Sequence, residues 1–163
     1  MTHAPPTEPA PPPPTAPSVP AEPKAMSPRV LGGIVMAVAM SPLAIGAGLS
    51  PASEGHGTHT QMGLPSCSWV MAFQRPCPTC GMTTAVTHAA HGDLLGAVLT
   101  QPAGATFAVL LAVAFWCGLH GLISGANTVR LAGGLFKGRT WWVIGGILLA
   151  AWAYKMVTFE GTP

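Results

Sequence analysis

A chain of 163 residues with 7% charged and 49% hydrophobic side chains is too poor in charge for an ordinary soluble domain, in which about 25% of residues are charged. A net charge of +2, with no basic patch interleaved with aromatics, excludes nucleic acid as a partner and leaves the lipid bilayer as the expected surroundings. The length allows one modest domain.

Residues 1–28 hold eleven of the eighteen prolines, including the run from Pro11 to Pro14. Proline supplies no backbone donor and fixes φ, so this segment is expected to be a disordered, semi-stiff, proline-rich cytoplasmic tail. A ligand for a proline-binding module is the sharper alternative. Residues 29–158 are expected to form a single helical membrane domain. Its first span covers about 30–49, a stretch free of charge and broken only by Ser41-Pro42; about 20 apolar residues suffice to cross the hydrocarbon core. Pro42 should kink this helix, which a membrane span tolerates when neighbouring groups satisfy the freed carbonyl. A cleaved signal peptide competes, with Ala44-Ile45-Gly46-Ala47 as the cleavage zone, but the polar stretch before the apolar run is long and so is the run itself. The expectation is an uncleaved span.

Residues 50–101 carry Glu54, His56, His59, the cysteine stretch, Arg75 and Asp93. Within them Gly81 to Leu99 reads as a helix, with Ala85, Val86, Ala89, Leu94, Leu95 and Val98 at three- and four-residue spacings. His88, His91 and Asp93 suit an interfacial or partly embedded helix better than a lipid-facing one. Spans over about 103–123 and 141–157 follow, the latter with Trp141, Trp142 and Tyr154 near its ends. The expected architecture is thus all-α: a small polytopic membrane protein with three transmembrane helices and one helix after a Cys-x-x-Cys motif. Three spans put Lys24, Arg29, Arg130, Lys137 and Arg139 on one side, against Arg75 and Lys155 on the other. The positive-inside rule then places the amino terminus in the cytoplasm and the cysteine loop outside the cell (inner) membrane, where disulfides persist.

Cys77-Pro78-Thr79-Cys80-Gly81, with Cys67 upstream, gathers three of the four cysteines. Pro78 suits a first helical position, which would put Cys77 at the N-cap and Cys80 in the first turn, beside unsatisfied N–H groups that favour thiolate. Three thiolates and one His complete a tetrahedral Zn site. His56 and His59, on the loop before Cys67, can supply that fourth ligand. His88 is eleven residues beyond Cys77, roughly 16 Å along a continuous helix, and cannot; His88, His91 and Asp93 read as a polar face. Met62 and Met82 keep copper as the lesser alternative. Met36, Met40 and Met71 read as packing residues, as does Cys117; His120 sits near the cytoplasmic end of its span.

Cys67, Cys77-Pro78-Thr79-Cys80-Gly81-Met82-Thr83, His91-Gly92-Asp93 and Pro102 before an apolar span together resemble a prokaryotic membrane-protein family. It is known as domain of unknown function 2752, whose hallmark reads Cys-Pro-x-Cys-Gly-x-Thr-Arg-Ala, then Gly-Asp and commonly Asn-Pro. The resemblance covers about Cys67 to Val113. Thr84 stands where that family usually has Arg, and Gln101 where Asn is common, which weakens here any anion-pairing role of that Arg. The resemblance implies a small membrane protein with a cysteine site and brings no activity. The leading functional expectation is a structural or sensory metal site of Zn type on Cys67, Cys77 and Cys80, in a binding protein rather than an enzyme. The rival is a membrane thiol–disulfide oxidoreductase in which Cys77 attacks and Cys80 resolves. It lacks a second redox pair, since Cys117 falls on the other side. The third is a purely structural disulfide in a membrane scaffold.

Overall fold

The computed structural model describes residues 26–134 and 138–158. Residues 1–25 of the expected proline-rich tail lie outside them, as does Lys137. Among the described residues every regular element is helical. They are α1 (Pro28–Ala47), a 3₁₀ turn (Thr58–Met62), α2 (Ser68–Phe73), α3 (Met82–Ala90), α4 (Leu94–Thr100), α5 (Pro102–Ser124), α6 (Thr128–Gly133) and α7 (Gly138–Thr158). α1, α5 and α7 are long and apolar enough to cross a membrane, which bears out the three expected spans.

α1 opens on Pro28 at the first helical position, with the Ser27 hydroxyl accepting from the Val30 N–H at 3.4 Å. Pro42 lies inside the helix. It leaves the Val38 carbonyl without its usual donor, and the Ser41 hydroxyl supplies one at 3.0 Å. The sequence itself thus carries the compensation that a proline in a span requires.

α1 packs along α5 through glycines. A Cβ on Gly32 would lie 2.6 Å from the Leu122 nitrogen, and one on Gly118 would lie 2.7 Å from both the Gly32 carbonyl oxygen and the Met36 nitrogen. Backbone meets backbone, the packing used where lipid offers no hydrophobic drive between helices. α3 sits between the two spans near one end. Gly46 of α1 faces Val86, Thr87 and Ala90, Gly104 of α5 faces Met82 and Ala85, and Ala85, Ala97 and Ala105 form the small core with Ala89 beside them.

The helix expected over Gly81–Leu99 is two helices. Gly92 takes φ +82°, ending α3, and the Asp93 carboxylate accepts from the Gly96 N–H at 2.8 Å, starting α4. The same carboxylate accepts from His88 Nδ1 at 2.8 Å. At about 1.5 Å per residue neither piece can cross a bilayer alone.

Long-range bonds sort the two ends of the molecule. At one end His91 Nε2 donates to the Leu49 carbonyl, the Tyr154 hydroxyl to the Leu99 carbonyl and Lys155 Nζ to the Gly55 and Thr100 carbonyls. The end of α1, the start of α5 and the end of α7 therefore meet there, under a cap made by residues 48–101. At the other end Arg130 Nη2 donates to the Met26 carbonyl at 2.7 Å, and the Arg29 guanidinium lies beside Gly125. The interval between the last two spans contains α6.

Candidate functional site

Cys77, Pro78, Thr79 and Cys80 form a β-turn, closed by the Cys80 N–H donating to the Cys77 carbonyl at 3.0 Å. Pro78 therefore occupies the second turn position, where its fixed φ is equally at home. α3 begins only at Met82, with Gly81 at the N-cap (φ +83°). This corrects the helical placement expected for the motif: neither Cys77 nor Cys80 lies in the first turn of a helix. Glycine at 81 is required twice, by its positive φ and because a Cβ would lie 2.6 Å from the Gly55 carbonyl oxygen.

The consequence for the thiols is a split. Cys80 is 6% exposed, and burial first, then the neighbouring Cys77, pushes its thiol up to about 11, against the opposing pull of the Lys155 ammonium. Cys67 caps α2 and is half-buried. Hydrogen bonding from the Val70 backbone, helped by that of Trp69 and by the Cys77 thiol, carries it below the ordinary thiol value despite some burial. The Cys67 thiol lies 3.8 Å from the Cys77 sulfur, which also touches the Thr79 hydroxyl at 3.4 Å. Cys77 thus faces Cys67, across the cleft from α2. All four cysteines are free thiols.

Cys67, Cys77 and Cys80 line one open cleft of about 1070 Å³, whose walls also hold His56, His59 and Thr84. Each histidine is oriented by a backbone carbonyl, which can only accept. His59 Nε2 donates to the Pro65 carbonyl at 3.2 Å and His56 Nδ1 to the Glu54 carbonyl at 2.9 Å. Of the methionines weighed for copper, neither Met62 nor Met82 lines the cleft, whereas Met71 does. His88, His91, Asp93, Cys117 and His120 lie elsewhere. Among the described residues no three His, Cys, Asp or Glu side chains stand ready-grouped around one point for a metal ion.

Beneath the cleft lies a polar floor. Thr58 and Thr84 are fully buried and share a hydrogen bond at 2.8 Å, and Thr58 also accepts from the Ala52 N–H at 3.1 Å. Gln101, fully buried, donates to the Pro78 carbonyl at 3.4 Å, while its Oε1 has no partner among the described residues. Thr84 and Gln101 both support the cysteine turn or the wall beside it. Lys155, 5% exposed, reaches up from α7, with its carbonyl partners Gly55 and Thr100 on either side. In the sequence Lys155 enters only the tally of cations on the two sides of the membrane. Its one signal was an isolated cation inside an apolar run.

The fold and site together define a helical membrane protein that carries a three-cysteine cleft at one end of its spans. Residues 67–116 match the family described as a protein of unknown function (DUF2752), which bears out the resemblance over that stretch. The matched segment contains all three cleft cysteines, the α3–α4 pair and α5 as far as Trp116. No curated protein and no solved structure matches the chain.

Proposed function

We propose that the protein is a membrane-embedded binding protein whose cleft takes a Zn-type ion on Cys67, Cys77 and Cys80, with His59 or His56 as the fourth ligand. The 3.8 Å between the sulfurs of Cys67 and Cys77 carries this reading. Two thiolates bound tetrahedrally at ~2.3 Å from one zinc are held about 3.8 Å apart, so this pair needs no re-spacing. The histidines add support, since each gives its ring proton to a backbone carbonyl, the outer contact that orients metal-binding imidazoles. Cys80 would turn toward the ion and lose its proton on binding, so affinity should rise with pH. Copper is the lesser occupant, with Met71 as the available thioether.

The cleft faces outward in this proposal, across a cell membrane with the amino terminus in the cytoplasm. Arg29 and Arg130 cluster at the far end, while the cleft end has Arg75 and the buried Lys155.

A second reading, thiol–disulfide exchange, is favoured by the lowered thiol of Cys67 next to Cys77. Cys67 thiolate would attack a partner's disulfide, releasing one partner thiolate and forming a mixed disulfide. Cys77, giving up its proton, would then attack the Cys67 sulfur and release the second thiol, two electrons passing to the partner. The exchanging pair would be Cys67/Cys77 instead of Cys77/Cys80.

Metal content and free thiols, measured on one detergent-purified sample made without chelator or reductant, separate the readings. About one equivalent of zinc or copper, lost in Cys77→Ser, is expected. A metal-free protein in which two thiols become reactive only after reductant would overturn the metal site in favour of exchange or of a structural disulfide.

A further inference from the structure

The segment between Cys67 and Cys77 is unlike the rest of the cap. α2 leaves Trp69, Met71 and Phe73 at 46%, 69% and 61% exposed, and Leu64 just before it at 51%. Trp69 and Phe73, one turn apart, pack their rings at 4.8 Å and present a joint apolar surface. Water is a poor neighbour for such a patch on so short an element. Nothing in the cap covers it.

Its depth is set independently. Directly after α2, Gln74 turns the chain through φ 52° and Pro76, buried, accepts a hydrogen bond from Trp152 Nε1 at 3.1 Å. Trp152 belongs to the span α7, and lies one turn further into it than Lys155, roughly 4.5 Å by helical rise. The end of α2 is thus tied to the flank of a span below the level at which Lys155 meets the cap. About one turn further along α7, on the same side of the helix as Trp152, Leu148 and Leu149 are exposed.

We propose that α2 is a membrane-surface anchor: Leu64, Trp69 and Phe73 sink into the headgroup–acyl boundary of the leaflet on the cleft side, while Met71, on the opposite face of the helix, lines the cleft. The exposed Arg75 follows at the depth of lipid phosphates, where a long cation can keep its head in the polar layer. Cys67 and Cys77 bracket the anchor, so the cleft opens along the bilayer surface and is reached from the interface.

The test uses the full chain in phosphatidylcholine vesicles. Subtracting the emission of Trp69→Phe from that of the wild type isolates the Trp69 component. Quenching of that component at least severalfold more strongly by lipids brominated in the acyl chain than by aqueous acrylamide is expected. Quenching by acrylamide alone would overturn the anchor in favour of a water-exposed flap. Quenching by neither would overturn it in favour of burial against a protein surface. Photolabelling of the wild-type chain by a diazirine lipid asks the same with no substitution. Adducts within 69–73 are expected, and adducts confined to α1, α5 and α7 would sink the proposal.

Discussion

α1 and α7 are both membrane spans, yet they join the molecule by opposite means. α1 is held along its length to α5, by glycines that bring backbones into contact. α7 is attached chiefly at one end, through Trp152, Tyr154 and Lys155, each donating to a carbonyl of the cap. Along the rest of α7, Gly145 and Gly146 have nothing within 4 Å of where a Cβ would stand. One span is scaffold and the other is a tether whose polar end also supports the cysteine turn. The lesson is that apolar packing fixes the frame here, while buried hydrogen bonds fix the site.

The largest effect should come from the seam. Gly118→Leu would drive a side chain into the backbone of Gly32 and Met36, which cannot rotate away. A loss of about 3 kcal/mol, the upper part of the range for overpacking, is expected. The same change at Gly145 should leave the unfolding midpoint in detergent nearly unmoved. Equal losses at the two sites would break the contrast between scaffold and tether.

Lys155→Met comes next. It keeps the length of the side chain and removes the donor shared by the Gly55 and Thr100 carbonyls. Leaving buried acceptors unsatisfied costs about 1–3 kcal/mol, so a smaller destabilisation than at Gly118 is expected, concentrated in the cap. Hydrogen exchange read by mass spectrometry should quicken around residues 52–58 and 78–84 while α1 and the middle of α5 stay protected. Uniform loosening of all three spans would show that α7 is as much frame as α1.

What the sequence disclosed follows the same division. The spans were legible because twenty or so apolar residues have few other fates, and even the remedy for Pro42 was present next door in Ser41. The break between α3 and α4 was readable in principle from His91-Gly92-Asp93, a stop followed by a capping residue. It was overridden by apolar spacings that run on through Leu94, Leu95 and Val98. The cysteine turn was misplaced because Pro78 fits the second position of a turn as well as the first of a helix. What decides is Gly81 against the Gly55 carbonyl, a tertiary contact. Lys155 was illegible for the same reason, since its acceptors stand 100 and 55 residues away in the chain.

The finest test concerns Cys80, where frame and tether meet. Its thiol is raised from 9.0 to about 11, mainly by burial, so the folded protein holds that proton more tightly than the unfolded chain does. The sign follows: the contribution to stability is complete below about pH 9 and fades as pH climbs through 11. In metal-free protein, iodoacetamide should modify Cys67 first and Cys80 last, with Cys80 gaining reactivity only in that alkaline window. The Lys155 ammonium, together with hydrogen bonding to the Cys77 backbone, opposes the rise of the Cys80 thiol, so in Lys155→Met the window should move further up in pH. Burial alone would set this thiol if its profile stayed fixed on losing the lysine, and the end of α7 would then be a mechanical tie with no electrostatic hold on the cleft.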